Sequence, residues 1–145
     1  MPDGKRKQDP YSSFRFQVEF DNQIVGGFSE VSGLQMETET EEYREGGVND
    51  YVHKLPKGTK YPNLVLKRGI MDSDNLWKWH EQVINGQVER KTVRVILLDS
   101  ENNEKWHWTF EKAYPVKWAG PDFKADSSAV AVETLELSHH GMKKA

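Results

Sequence analysis

Seven residues near the start of the chain, FRFQVEF, alternate without a break: Phe14, Phe16, Val18 and Phe20 fall on one side, Arg15, Gln17 and Glu19 on the other. A period of two belongs to a strand with one buried face and does not fit the surface of a helix. Most of the chain follows the same rule. NQIVGGFSEVSG is broken by Gly26, Gly27 and Gly33, which predicts a hairpin or bulged connection around a short strand. From Leu34 to Tyr43 the alternation returns, with Leu34, Met36, Thr38 and Thr40 facing one way and Gln35, Glu37, Glu39, Glu41 and Tyr43 the other. PNLVLKRG holds a short strand in which Leu64 and Leu66 alternate with Val65 and Lys67. TVRVILLD is nearly apolar on both faces, as for a strand covered on two sides; SENNE turns; KWHWTFEKA sets Trp106, Trp108 and Phe110 together. After YPVKWAGPDFKADS, an excursion punctuated by Pro and Gly, AVAVETLELSHH forms the last strand.

Only residues 73–85, SDNLWKWHEQVIN, carry a helical period. Asp72 or Ser73 can cap the start, Asp74 suits the positive dipole end, and Asn85-Gly86 can close the helix. Leu76, Trp79, His80 and Val83 form its stripe, flanked by Trp77 and Ile84, and the stripe reads as core. About seven strands and one helix predict a mainly β fold, an antiparallel β-barrel or two packed sheets with one peripheral α-helix. The chain of 145 residues is read as one domain, with residues 1–12 a flexible N-terminal segment.

Composition narrows the function. Charged residues make up 30% of the chain, yet five Trp, five Tyr and six Phe supply the bulky apolar area of a folded core. A chain without cysteine has no disulfide framework, thiolate metal site or Cys nucleophile. A net charge of −3 argues against a dedicated nucleic-acid binder, and neither an export signal nor a membrane anchor is read from the sequence. VGGFSE and EGGVND lack the spacing of a phosphate cradle. His139 and His140, adjacent on a strand, face opposite ways and cannot share one metal; His53, His80 and His107 have no partner at ligand spacing. Glu37, Glu39 and Glu41 form a ladder rather than a pair in an apolar pocket. No catalytic, metal or cofactor site is expected, which leaves binding or assembly.

The segment 44–61 is too long for an ordinary connection, because loops above roughly 12–15 residues without structure are functional or disordered. Tyr43, Val48, Tyr51, Val52, Leu55 and Tyr61 are costly to leave in water, so the loop is read as ordered by a neighbour. Fully extended it spans at most roughly 60 Å, enough to cross onto a second copy. Its second half is basic at His53, Lys54, Lys57 and Lys60, and the preceding strand offers the acidic face of Glu37, Glu39 and Glu41. Head-to-tail pairing of copies would match those charges.

The series FRFQVEF, GGFSEVSGL, YREGG, KLPKGTKYPNLVLKRG, LWKWH, YPVKWAGPDFKAD and AVETLELSHHG, from Phe14 to Gly141, resembles the tube proteins of contractile tails. These are phage tail tubes and the inner tubes of extracellular contractile injection systems, related in fold to the haemolysin-coregulated protein of type VI secretion. The resemblance implies homohexameric rings stacked into a conduit for effector cargo, assembled in the bacterial cytoplasm with sheath and baseplate or spike proteins, and released in an extracellular or virion-like particle. Four strands from each of six subunits give about twenty-four; at roughly 4.8 Å spacing and a tilt near 40° they close a barrel roughly 48 Å across. It further implies that Tyr43, Arg44, Gly46, Gly47, Leu55, Pro56, Gly58 and Tyr61 hold the inter-subunit contact, while Trp77, Trp79, Pro115, Trp118, Gly120 and Glu133 match other family motifs.

Two rivals predict different behaviour. A phage tail tube would conduct DNA. A monomeric barrel binding a sugar or lipid between Trp106, Trp108 and Trp118 would stay a monomer with ligand-sensitive fluorescence.

Overall fold

The computed structural model describes residue 10 and residues 14–43, 53–126 and 128–144. Among these residues, ten strands and one helix follow in the order β1 (Phe14–Phe20), β2 (Gln23–Val25), β3 (Phe28–Ser32), β4 (Glu37–Tyr43), β5 (His53–Lys60), β6 (Leu64–Gly69), α1 (Asn75–Ile84), β7 (Lys91–Asp99), β8 (Glu104–Ala119), β9 (Val132–Ser138) and β10 (Met142–Lys144). All pairings are antiparallel. The main sheet runs β2-β1-β7-β8-β9-β6-β3, with β10 beside β8, and a separate two-stranded sheet joins β4 to β5.

β8 makes one sheet behave as two. Its first half pairs with β7 and its second with β9. Between them Lys112 takes a left-handed φ of 54° and the register to β7 slips by one residue, a bulge that bends the strand. Pro115 lies at a second register shift, where a residue without an N–H costs a strand least. The YPVKWA stretch, read as an excursion, is therefore strand. The bend folds the two halves onto a shared core: Val18, Phe20, Val93, Val95 and Phe110 from one, Leu64, Leu66, Leu135 and Leu137 from the other, with Leu76 and Trp79 of α1. Burial of each such side chain stabilises the fold by about 1.5–3 kcal/mol. Within one chain the sheet stays open at β2 and β3, so of the two expected architectures the packed sheets are the one found.

The alternation in β1 is seen as expected, with Val18 and Phe20 buried. TVRVILLD is also covered on both faces at its centre, since Ile96 is as buried as Val93 and Val95 while pointing the opposite way. The helix is shorter than 73–85. Asp74 is its N-cap without a side-chain cap bond, and Asn85 with Gly86 at φ 85° closes it. Ser73 instead donates to Asn75 Oδ1.

The inward alternation of β6 continues one step past its leucines, to Arg68, which is 1% exposed. Its cross-strand neighbour Glu133 continues the inward row of Leu135 and Leu137 in β9. Arg68 Nε donates to Glu133 Oε2 at 3.2 Å, and its Nη2 reaches the Ser73 carbonyl and Asn75 Oδ1 at the start of α1. Glu133 also accepts the Trp118 indole N–H at 3.0 Å, and Trp118 packs edge-on against Trp77. One buried ion pair thus ties β6, β9, β8 and the helix together.

Candidate assembly arm

β3 and β6 pair inside the main sheet, and the strands that leave their ends, β4 and β5, pair again beyond it. The two pairings are successive halves of one ribbon with a break between. At the break Gly33 has φ 97°, and a Cβ there would run into the Asn63 carbonyl oxygen. Only glycine lets the two backbones cross this closely. Outside the crossing the ribbon stands clear: every residue of β4 and β5 is exposed except Glu39 and His53, and none is buried.

The structure corrects the reading of 44–61 as a loop throughout, because His53–Lys60 is strand β5. Arg44, Gly46 and Gly47 lie outside the described residues, as does nearly all of the expected N-terminal segment. The other sequence-derived interface residues are placed on the arm. Tyr43 stands opposite His53 and Glu41 opposite Leu55; Pro56 is opposite Thr40, and Gly58 lies in the bulge between Thr38 and Thr40. Tyr43 and Leu55 are each about half exposed, at 53% and 51%, which leaves a small apolar patch on the arm. Tyr61 sits at the arm's base, its ring centre 6.1 Å from that of His139.

The acidic face is present, with Glu37, Glu39, Glu41 and Tyr43 on one side of β4. Part of its charge, however, is met within the same ribbon, while Glu41 stands opposite Leu55. Glu37 faces Lys60 and Glu42 faces Lys54 in register, and Glu39 forms an ion pair with Lys60. The hydrogen bond and charge of Glu39 raise the Lys60 pKa above its ordinary 10.5. Lys54 and Lys57 remain exposed on the outer strand. An acidic strand and a basic strand, each unfavourable with a copy of itself, select each other as hairpin partners.

The aromatic constellation of the ligand-binding rival is not assembled. Trp106 and Trp108 lie together with ring centres 5.7 Å apart on the first half of β8, whereas Trp118 is bound to Glu133 and Trp77 on the second half. An apolar cleft of about 350 Å³ opens beside Trp108, between Phe14, Phe16, Val31, Leu34 and Leu97. Among the described residues, no group of three or more His, Asp or Glu could hold a metal ion, and no helix is long and apolar enough to cross a membrane. His80, on the helix stripe that reads as core, has its Nδ1 buried without a hydrogen-bond partner.

Gly33 and His139 are the parts of this site that sequence reasoning missed. Gly33 registers only as a break between strands, since nothing in a sequence reports the approach of a second backbone. His139 carries no metal-ligand spacing.

Comparison with known proteins returns a consistent result. The chain is 26% identical to a chain in the extended sheath–tube complex of the extracellular contractile injection system PVC, covering 96% of this chain and 93% of that one with a TM-score of 0.85. It is 28% identical to a chain in the tube-terminating cap of the anti-feeding prophage, covering 99% and 95% with a TM-score of 0.86. Hcp1 from Salmonella typhimurium, at 14% identity, 91% and 85% coverage and a TM-score of 0.58, shares the fold. No curated protein matches. The model of the T4-like virus tail tube protein gp19 family matches residues 12–143, and the chain belongs to that family.

Proposed function

We propose that this chain is the inner-tube subunit of a contractile injection system, forming homohexameric rings that stack into a rigid conduit for effector cargo. The observation that carries the reading is the arm. A two-stranded ribbon with both faces in water is at best marginally stable alone, so the arm is built to be completed by another copy. The similarity to chains of PVC and the anti-feeding prophage favours an injection system over a DNA-conducting phage tail. Its partners are then a sheath and a baseplate or spike, and its particle is assembled in the bacterial cytoplasm and released. The chain's task is mechanical: contraction of the sheath supplies the work, and the tube stays closed.

The arm's acceptor is the far end of the next copy. β6 runs from the arm's base at Leu64 to Gly69, and beyond it Ile70 donates to the Ala131 carbonyl, which brings the β6–α1 and β8–β9 connections to one end. Ile70, Met71, Phe123 and Val130 are exposed there, Phe123 to 85%. Asp72, Asp122 and Asp126 stand exposed among them. The arm brings Leu55, Tyr43, Lys54 and Lys57, so apolar area meets apolar area and lysine meets aspartate. A contact between two different surfaces of identical subunits passes from copy to copy, closing into a ring or extending into a stack according to the rotation between neighbours. Negative-stain microscopy of the purified protein tests this: rings and stacked tubes are expected, and a dispersed monomer at all concentrations contradicts it.

A further inference from the structure

We propose that His139 is a positioning residue for the arm, a clasp at its base that closes only while the imidazole is neutral. Both ring nitrogens are engaged by groups whose roles are fixed. The Gly141 backbone N–H donates to Nδ1 at 3.0 Å, so Nδ1 carries a lone pair. In the neutral ring Nε2 then carries the hydrogen and donates to the Pro62 carbonyl at 3.0 Å. Pro62 is the second residue beyond the arm strand β5, and Gly141 lies in the kink between β9 and β10, so one side chain ties the arm's root to the body of the sheet.

The clasp is seated in aromatic packing. The Phe110 ring meets His139 edge-on at 4.9 Å, and Tyr61 meets it from the arm side. Gly141, at φ 126°, backs onto that same tyrosine: a Cβ there would touch its ring at 3.5 Å. On the strand across the ribbon, Gly33 lets the backbone bend. The arm's root is therefore bent at Gly33 and held at Pro62.

A second proton on the ring turns Nδ1 into a donor facing the Gly141 donor. The Pro62 bond survives and the Gly141 bond does not, so the arm's root is uncoupled from the β9–β10 kink. The titratable and charged groups on the surrounding elements are Tyr61 at the arm's root, Glu136 on β9 bonded to Asn63, the adjacent His140, and Glu111 of β8 paired with Lys143 of β10. None of these side chains takes over the Gly141 N–H.

The clasp is a property of the subunit's fold and does not rest on the tube reading. Hydrogen–deuterium exchange of the full chain, corrected for the intrinsic pH dependence of exchange, tests it. Between about pH 7.5 and pH 5, protection of the segments spanning Lys60–Leu64 and Ser138–Lys144 should fall about tenfold while the β6–β9 core stays protected. His139→Gln, which can still donate to Pro62, and His139→Asn, which can still accept from Gly141, should each give a pH-independent profile. His140→Gln should keep the response. Unchanged protection in the parent chain, a His139→Gln profile that falls as the parent does, or loss of the response in His140→Gln would overturn the proposal.

Discussion

The inner and outer halves of the long ribbon are made by the same two stretches of chain and held by opposite means. In the inner half, β3 and β6, every second side chain of β6 is buried, and Leu64, Leu66 and Arg68 enter the core. In the outer half, β4 and β5, nothing is buried and the strands select each other by charge and register. Burial fixes the inner half within one chain. The outer half is specified as a pair but left without a support, which is why the proposed function has a neighbouring copy finish it.

The difference is sharpest under substitution. Arg68→Ala leaves Glu133 buried without its cation and should cost about 3–5 kcal/mol, read as a shift of the denaturation midpoint. Leu66→Ala, a cavity in the same half, should cost about 2–5 kcal/mol. At the junction, Gly33→Ala meets both the left-handed φ and the Asn63 carbonyl, and should cost about 1–3 kcal/mol while altering the arm's angle. On the arm, Leu55→Asp should change stability by no more than about 0.5 kcal/mol and yet abolish assembly. A large stability loss in that last variant would break the comparison, because the arm would then belong to the core.

The smallest effect is electrostatic. Lys60 has a raised pKa in the fold, so the contribution of its pair with Glu39 is fully present below pH 10.5 and is lost as pH rises through the higher folded value. Exchange protection in β4 and β5 should therefore fall in strong alkali before that of β6 and β9 does. High salt should act in the same direction on the arm by screening an exposed pair; an arm indifferent to both would owe its pairing to backbone bonds alone.

The same contrast explains what could be read in the sequence. Periodicity reports burial, so β1, β6, β7, β9 and α1 were legible from Phe14, Leu64, Val93, Leu135 and Leu76 onward. HKLPKGTK has no buried face and hence no period, and β5 passes for a loop. β8 extends past Ala113 because its bulges accommodate Lys112 and Pro115, residues that in sequence mark an end. Arg68 looks like a charged terminus to a strand until its parity with Leu64 and Leu66 is counted. Tyr43, Leu55, Pro56, Gly58 and Tyr61, which the family resemblance singles out, fall on the arm or at its base. The meeting of Glu39 with Lys60 inside one ribbon was not legible, since a pattern of opposite charges does not say whether one copy or two will satisfy it.

On the proposed function, the arm joins copies without supporting the fold of its own. Light scattering on the parent chain and Leu55→Asp side by side, with a denaturation curve for each, tests it most directly. The parent should run at or above the mass of a six-copy ring of the 16.8 kDa chain, about 100 kDa, and the variant should be monomeric with an unchanged midpoint. A variant that assembles as the parent does, or one that loses assembly only by unfolding, would contradict it.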